Sequence, residues 1–139
     1  MTAIELINIK KYFKDGPDQI EALKETNLTI NKGEFVAVIG PSGSGKSTFL
    51  TIIGGLQSPS QGEVRLSGQA FSQKKEKARA KMRFDQIGFI LQASNLVPFL
   101  KIKDQLRLVD KVDKKKQRES IDSLFDQLGI ASIADKYPE

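Results

Sequence analysis

Polar and apolar residues alternate through residues 3–9 (AIELINI), the period-two pattern of a half-buried strand. The polar stretch Lys14–Gln19 carries the turn signal Asp15-Gly16-Pro17. Beyond it, Ile20–Leu23, then Leu28 and Ile30 around Thr29, predict a second strand pair. Lys32-Gly33 reads as a turn. Glu34–Ile39 (EFVAVI) is a near-continuous apolar run rich in β-branched residues, which predicts a central strand buried on both faces. Lys46–Ile53 predicts a helix with Phe49, Leu50 and Ile53 on one face, ended by Gly54-Gly55. A loop at Ser58–Gly62 leads to a predicted strand Glu63–Leu66 and a turn at Ser67-Gly68. A polar helix over Gln73–Arg83 and a buried strand Ile87–Leu91 (IGFIL) follow. Lys103–Val109 and Lys116–Leu128 read as helices, with Ile121, Leu124, Phe125 and Leu128 spaced to share one packed face. Residues 1–92 are therefore strand-rich and residues 93–139 helical, with no internal repeat.

Composition narrows the chemistry more than the fold. The 139 residues suit one domain, and 39% apolar with 28% charged residues is the balance of a folded globular chain. No run approaches the ~18 consecutive apolar residues of a membrane span, and residues 1–20 lack the apolar core of a signal peptide. Any link to a membrane is thus expected through a partner. Cysteine and histidine are both absent, which removes disulfides, thiolate metal sites, cysteine nucleophiles and imidazole bases. The net charge of +5 is concentrated in two runs, Lys74–Arg83 and Lys111–Arg118, on predicted helices. No aromatic residues are interleaved to form a stacking platform, so these runs read as solvated faces and no nucleic-acid binding is expected.

One segment carries specific chemistry. Gly40, Pro41, Ser42, Gly43, Ser44, Gly45, Lys46, Ser47 and Thr48 (GPSGSGKST) satisfy the phosphate-loop pattern G-x-x-x-x-G-K-[ST] in full. The pattern lies between a predicted strand and a predicted helix, as it should. The glycines let main-chain N–H groups close on an anion, and the helix start adds partial positive charge. Lys46 is expected to reach the β- and γ-phosphates of a nucleotide, and Ser47 to offer its hydroxyl to a bridging magnesium ion.

The segments around the loop say more. ALKETNLTINKGEFVAVIG runs into it, and IIGGLQSPSQGEVRLSG and IGFILQASNLVPFLKIKDQL follow. This order resembles the ATP-binding subunits of ABC transporters along the whole chain, matching roughly the first two-thirds of such a domain. The resemblance implies an α/β fold: a P-loop NTPase (RecA-like) core with an antiparallel β subdomain and the start of a helical subdomain, incomplete. It implies ATP and Mg2+ as ligands, Tyr12 stacked on adenine, and Gln92 contacting magnesium and the attacking water. Lys46 and Gln92 would then be the catalytic candidates, Ser47 and Gln92 the metal ligands. The region after Gln92, including Pro98 and Leu96–Leu100, would dock a membrane permease subunit, and two ATPase subunits would pair head to tail. The location implied is cytoplasmic, peripheral on the inner face of the cell membrane. IGGLQSPSQGEVRLSG is similar to subunits of lipoprotein, macrolide and antimicrobial-peptide exporters. IGFILQASNLVPFLKIKDQLRLV resembles the ATPase of haem-regulated exporters of Gram-positive bacteria.

The sequence also departs from that family. It holds no LSGGQ signature, no apolar strand ending in Asp-Glu and no switch histidine. Leu66-Ser67-Gly68-Gln69 is one glycine short and precedes Gln92, whereas the family signature follows it. In LRLVD, Arg107 interrupts the apolar run and Lys111 stands where a glutamate belongs. The expectation is a truncated cassette that binds ATP without significant hydrolysis. Two alternatives differ from a transport ATPase: a vestigial nucleotide binder and a soluble P-loop kinase. The kinase would need an arginine-rich lid, and only Arg107 and Arg118 follow Gln92.

Overall fold

The computed structural model describes residues 1–93, 95–112 and 119–138. The chain forms two compact units, Met1–Phe89 and Ile90–Glu139.

In the first unit, β1 (Thr2–Asp15) and β2 (Asp18–Asn31) form a long antiparallel hairpin. They meet across a two-residue turn in which Gly16 has φ +59°. β3 (Gln61–Leu66) pairs with the other edge of β1, and β4 (Gln69–Ala70) with β3, giving the order β2-β1-β3-β4. β1 is re-phased in mid-course. Asn8 adopts φ +49°, its N–H donates to Asn27 Oδ1 at 2.7 Å, and the register shifts between Leu6 and Ile9. Strict alternation would set Leu6 and Ile9 on opposite faces; the bulge puts both in the core.

Helix α1 (Lys46–Ile53) and helix α2 (Glu76–Gln86) complete that core. Phe49, Ile52 and Met82 cluster with Leu6, Ile9, Val64, Leu66 and Phe71, and Ile4, Leu23, Leu28, Ile53 and Ile87 pack around them. α1 ends at Gly54-Gly55 for a steric reason. Gly55 has φ +68°, and a Cβ there would lie 2.1 Å from the Phe71 ring. The Arg83 guanidinium donates to the Gly55 carbonyl at 2.7 Å, fixing α2 to the end of α1. Ser72 is buried because its Oγ accepts from the Val64 N–H at 2.9 Å.

In the second unit, α3 (Ile102–Val112) begins against the 134–136 segment. The Ile102 and Lys103 N–H groups donate to the Lys136 and Ala134 carbonyls at 2.9 and 3.0 Å. The Asp135 carboxylate pairs with Lys101 at 3.1 Å and also with Lys103. Those lysines hold its pKa below the ordinary aspartate value, the Lys103 hydrogen bond contributing most. α4 (Ile121–Leu128) is capped by Ser120, whose Oγ accepts from Ser123 N–H, and by Gly129 in the left-handed region.

Several expectations are corrected. Glu34–Ile39 and Ile87–Leu91 form no strand, and Phe35, Ile39 and Ile90 are almost fully exposed. A central strand needs a ladder partner on each edge, and among the described residues neither run finds one. Residues 18–31 make one continuous strand, not a strand pair. Leu50 on α1 and Leu128 on α4 face solvent, while Phe49 with Ile52, and Phe125, are the buried positions. Glu119 and Ser120 precede α4 as non-helical residues. The predicted start of that helix at Lys116, and most of the charge run ending at Arg118, lie outside the described residues, as does Glu139.

Candidate functional site

The loop Gly40–Thr48 does not grow from a buried strand; it follows the exposed 34–39 segment and leads into α1. Its shape is set at the helix start. Gly45 is the N-cap residue in the left-handed region at φ +86°, and its carbonyl accepts the first intrahelical bond from Phe49 N–H at 2.8 Å. A Cβ at Gly45 would lie 2.4 Å from the Ala22 carbonyl oxygen, so glycine is what lets the loop approach β2. No side chain caps the helix, and its first turn holds no acidic residue. The first N–H groups of α1 therefore have no side-chain acceptor, the arrangement that suits an anion.

Lys46 is the first residue of α1, and its ammonium reaches back over the loop. Nζ donates to the carbonyls of Gly40 at 2.8 Å and Pro41 at 2.6 Å, and lies 3.4 Å from Ser44 Oγ. The loop is closed by its own lysine. Ser44 N–H donates to Pro41 O at 3.3 Å, tightening the same turn. Ser47 is exposed and Thr48 half-buried.

Between this loop and β2 lies a cavity of about 910 Å³. Ser42–Thr48 form one wall; Ile20–Lys24 and Thr26 form the other. That volume falls within the ~300–1,000 Å³ of small-molecule sites. A triphosphate fits this lining: glycines leave room for main-chain contact, a helix start faces in, and a lysine stands at the mouth. Among the described residues, no group of three or more Asp, Glu, His or Cys could hold a metal.

The remaining predicted residues are placed as follows. Tyr12 is half-buried on β1 and borders a neighbouring cavity of about 590 Å³ with Phe13, Lys14, Gln19, Ser60 and Gln61. Its backbone N–H donates to Ser60 Oγ at 3.0 Å. Across the hairpin Tyr12 pairs with Glu21, which does line the loop cavity. Gln92 is exposed and belongs to the second unit. The Ile20–Lys24 wall was not foreseen from the sequence. The one signal for it is Gly45 itself, a position that admits no side chain beside a neighbouring backbone.

The complete G-x-x-x-x-G-K-[ST] pattern, closed by its lysine at a helix start, is that of a P-loop nucleotide-binding protein. The profile of the family described as ABC transporter matches residues 23–139. The chain belongs to the ABC transporter family, as an ATP-binding cassette of α/β fold. It is 42% identical over 140 residues to the putative hemin import ATP-binding protein HrtA of Staphylococcus haemolyticus, covering 98% of this chain and 62% of that protein. It is 34% identical to the lipoprotein-releasing system ATP-binding protein LolD of Saccharophagus degradans, covering 97% and 60%. Among solved structures, it is similar to the dimeric post-hydrolysis state of the ATP-binding cassette MJ0796 bound to ADP and Pi. There the TM-score is 0.85 at 35% identity, over 97% of this chain and 61% of that one. The chain thus spans about three-fifths of the length of these relatives.

Proposed function

We propose that the chain is the nucleotide-binding part of an ABC transporter that drives export, and that Gly40–Thr48 grips the triphosphate of magnesium-bound ATP. Residues 1–92 would be its strand-rich core and 93–139 the start of its helical subdomain. The observation that carries the reading is Lys46, at a helix start, lining a nucleotide-sized cavity and held to carbonyls it can exchange for phosphate oxygens.

Bound ATP would supply the phosphoryl group whose hydrolysis powers transport in intact cassettes. The chain's own residues have simpler tasks. N–H groups of the loop and the first turn of α1 cradle the phosphates, and Lys46 offsets their charge. Ser47 offers a hydroxyl to magnesium. Tyr12, which pairs across the hairpin with Glu21 of the cavity wall and itself borders the other cavity, is assigned to the base on the family resemblance. The role of Gln92 towards magnesium and the attacking water rests on the family resemblance alone. The region after Gln92, Leu96–Leu100, is assigned to docking a membrane permease at the inner face of the membrane, with a second cassette packed head to tail. Export, rather than the import in the name of HrtA, is the reading proposed, in line with the name of the bacitracin export protein BceA of Halalkalibacterium halodurans, 35% identical. Because these 139 residues hold no signature and no Asp-Glu strand end, this chain by itself is proposed to bind ATP with negligible turnover.

Titration calorimetry of the folded chain with ATP and magnesium tests the reading. Binding is expected, weakened on the order of tenfold or more by Lys46→Ala, since hydrogen bonds to a charged group contribute about 1.5–3 kcal/mol. No heat from the unaltered chain would sink the proposal. Steady-state phosphate release that disappears in Lys46→Ala would overturn the claim of negligible turnover.

A further inference from the structure

The side-chain amide of Gln105, on α3, makes three hydrogen bonds to one short loop. Oε1 accepts from the Val97 N–H at 3.1 Å, while Nε2 donates to the Val97 carbonyl at 2.7 Å and the Leu100 carbonyl at 3.0 Å. Leu100 N–H adds a turn bond to Val97 O at 3.1 Å, across Pro98 and Phe99. Pro98 has no N–H to give, so the loop has few means of holding its own shape. Phe99 stands 77% exposed at its tip, and Leu96 46% exposed beside it. α3 is itself braced: its first N–H groups are taken by Lys136 and Ala134, and Lys101 and Lys103 converge on Asp135.

We infer that Gln105 is a positioning residue: its amide, carried on a braced helix, fixes the 97–100 turn that presents Phe99 to a partner. The inference rests on the proposal above that Leu96–Leu100 is a docking surface. Gln105 is not part of the phosphate loop, so nucleotide affinity should not depend on it. The chemistry supplies a specific signature. Glutamate has the size of glutamine and keeps an acceptor for Val97 N–H, but when ionised it sets lone pairs against the Val97 and Leu100 carbonyls. Protonated, it regains an O–H donor. A residue that merely packed against the loop would give no such dependence on pH.

The chain contains no tryptophan, so Phe99→Trp provides a single fluorescent reporter at the exposed tip. Time-resolved anisotropy of F99W is expected to show little fast local motion. Adding Gln105→Leu should introduce a fast component. Gln105→Glu should introduce it at neutral pH and lose it as pH falls, with a midpoint above the ordinary glutamate value of ~4.3 because the two carbonyls oppose the ionised form, and with no such step in F99W alone. Unchanged anisotropy in both double variants, or the same pH step in F99W, would overturn the inference. If Gln105→Leu proves unfolded by circular dichroism, the Gln105→Glu pair of pH values decides the matter alone. Recruitment of the chain to vesicles carrying its transporter subunit, compared with Phe99→Asp, tests the docking surface on a separate readout, so either idea can fail without the other.

Discussion

β1 and β3 and the segment Glu34–Ile39 carry apolar residues of the same kinds, yet Leu6, Ile9, Val64 and Leu66 are at most 3% exposed while Phe35 and Ile39 are 96% and 90% exposed. The difference lies in where a partner comes from. β2 reaches β1 through the turn Gly16-Pro17, so little chain entropy opposes pairing, and α1 and α2 then cover one face of the sheet. Glu34–Ile39 has no hairpin neighbour. A strand of its kind pairs in parallel through long crossovers, and no ladder forms to it among the described residues. An apolar run thus marks surface that needs cover; only a partner in register turns it into a strand.

The contrast can be broken most forcefully from the buried side. Phe71→Ala removes a fully buried ring from beneath Gly55 and should cost about 3–5 kcal/mol of stability, read from the midpoint of chemical denaturation. Ser72→Ala leaves the Val64 N–H without its acceptor in the core and should cost about 1–3 kcal/mol by the same measurement. From the exposed side, Ile39→Asp or Phe35→Asp should change stability by no more than about 0.5 kcal/mol, while light scattering shows less self-association because an apolar patch has been broken. A large loss of stability there would mean the segment is packed, and the contrast would vanish.

The smallest effect belongs to a solvent-exposed network in the second unit. Asp135 has its pKa lowered by Lys103 and Lys101, so its contribution is present above its unfolded value and lost as pH falls through the folded one. Lys101 is raised by Asp135, so its share is present below its unfolded value and lost as pH rises through the folded one. Melting temperature against pH should fall slightly at both ends, and Asp135→Asn should flatten both limbs.

Legibility followed the same division. The hairpin turn, the span of α1 and the phosphate loop were readable because each is written in consecutive residues: Asp15-Gly16-Pro17, Lys46 to Gly54-Gly55, GPSGSGKST. β2 was read as separate pieces because Lys24–Asn27 interrupts its apolar residues. The strand tolerates that interruption as the outermost of the sheet, where much of its surface meets solvent. The bulge at Asn8, the wall Ile20–Lys24 and the Gln105 clasp were not readable, since each depends on residues far apart in the chain. Leu50 and Leu128 fit helical periodicity but are left exposed among the described residues.

The bonds from Lys46 to Gly40 and Pro41 have a consequence for selectivity. A ligand arriving at that ammonium would compete with two carbonyl oxygens already seated there. A small monovalent anion brings a single charge against two settled contacts. If the loop grips phosphates as proposed, a chain of phosphates would bring several oxygens and more negative charge to that exchange, and the loop would screen its visitors by charge density before any question of base identity arises.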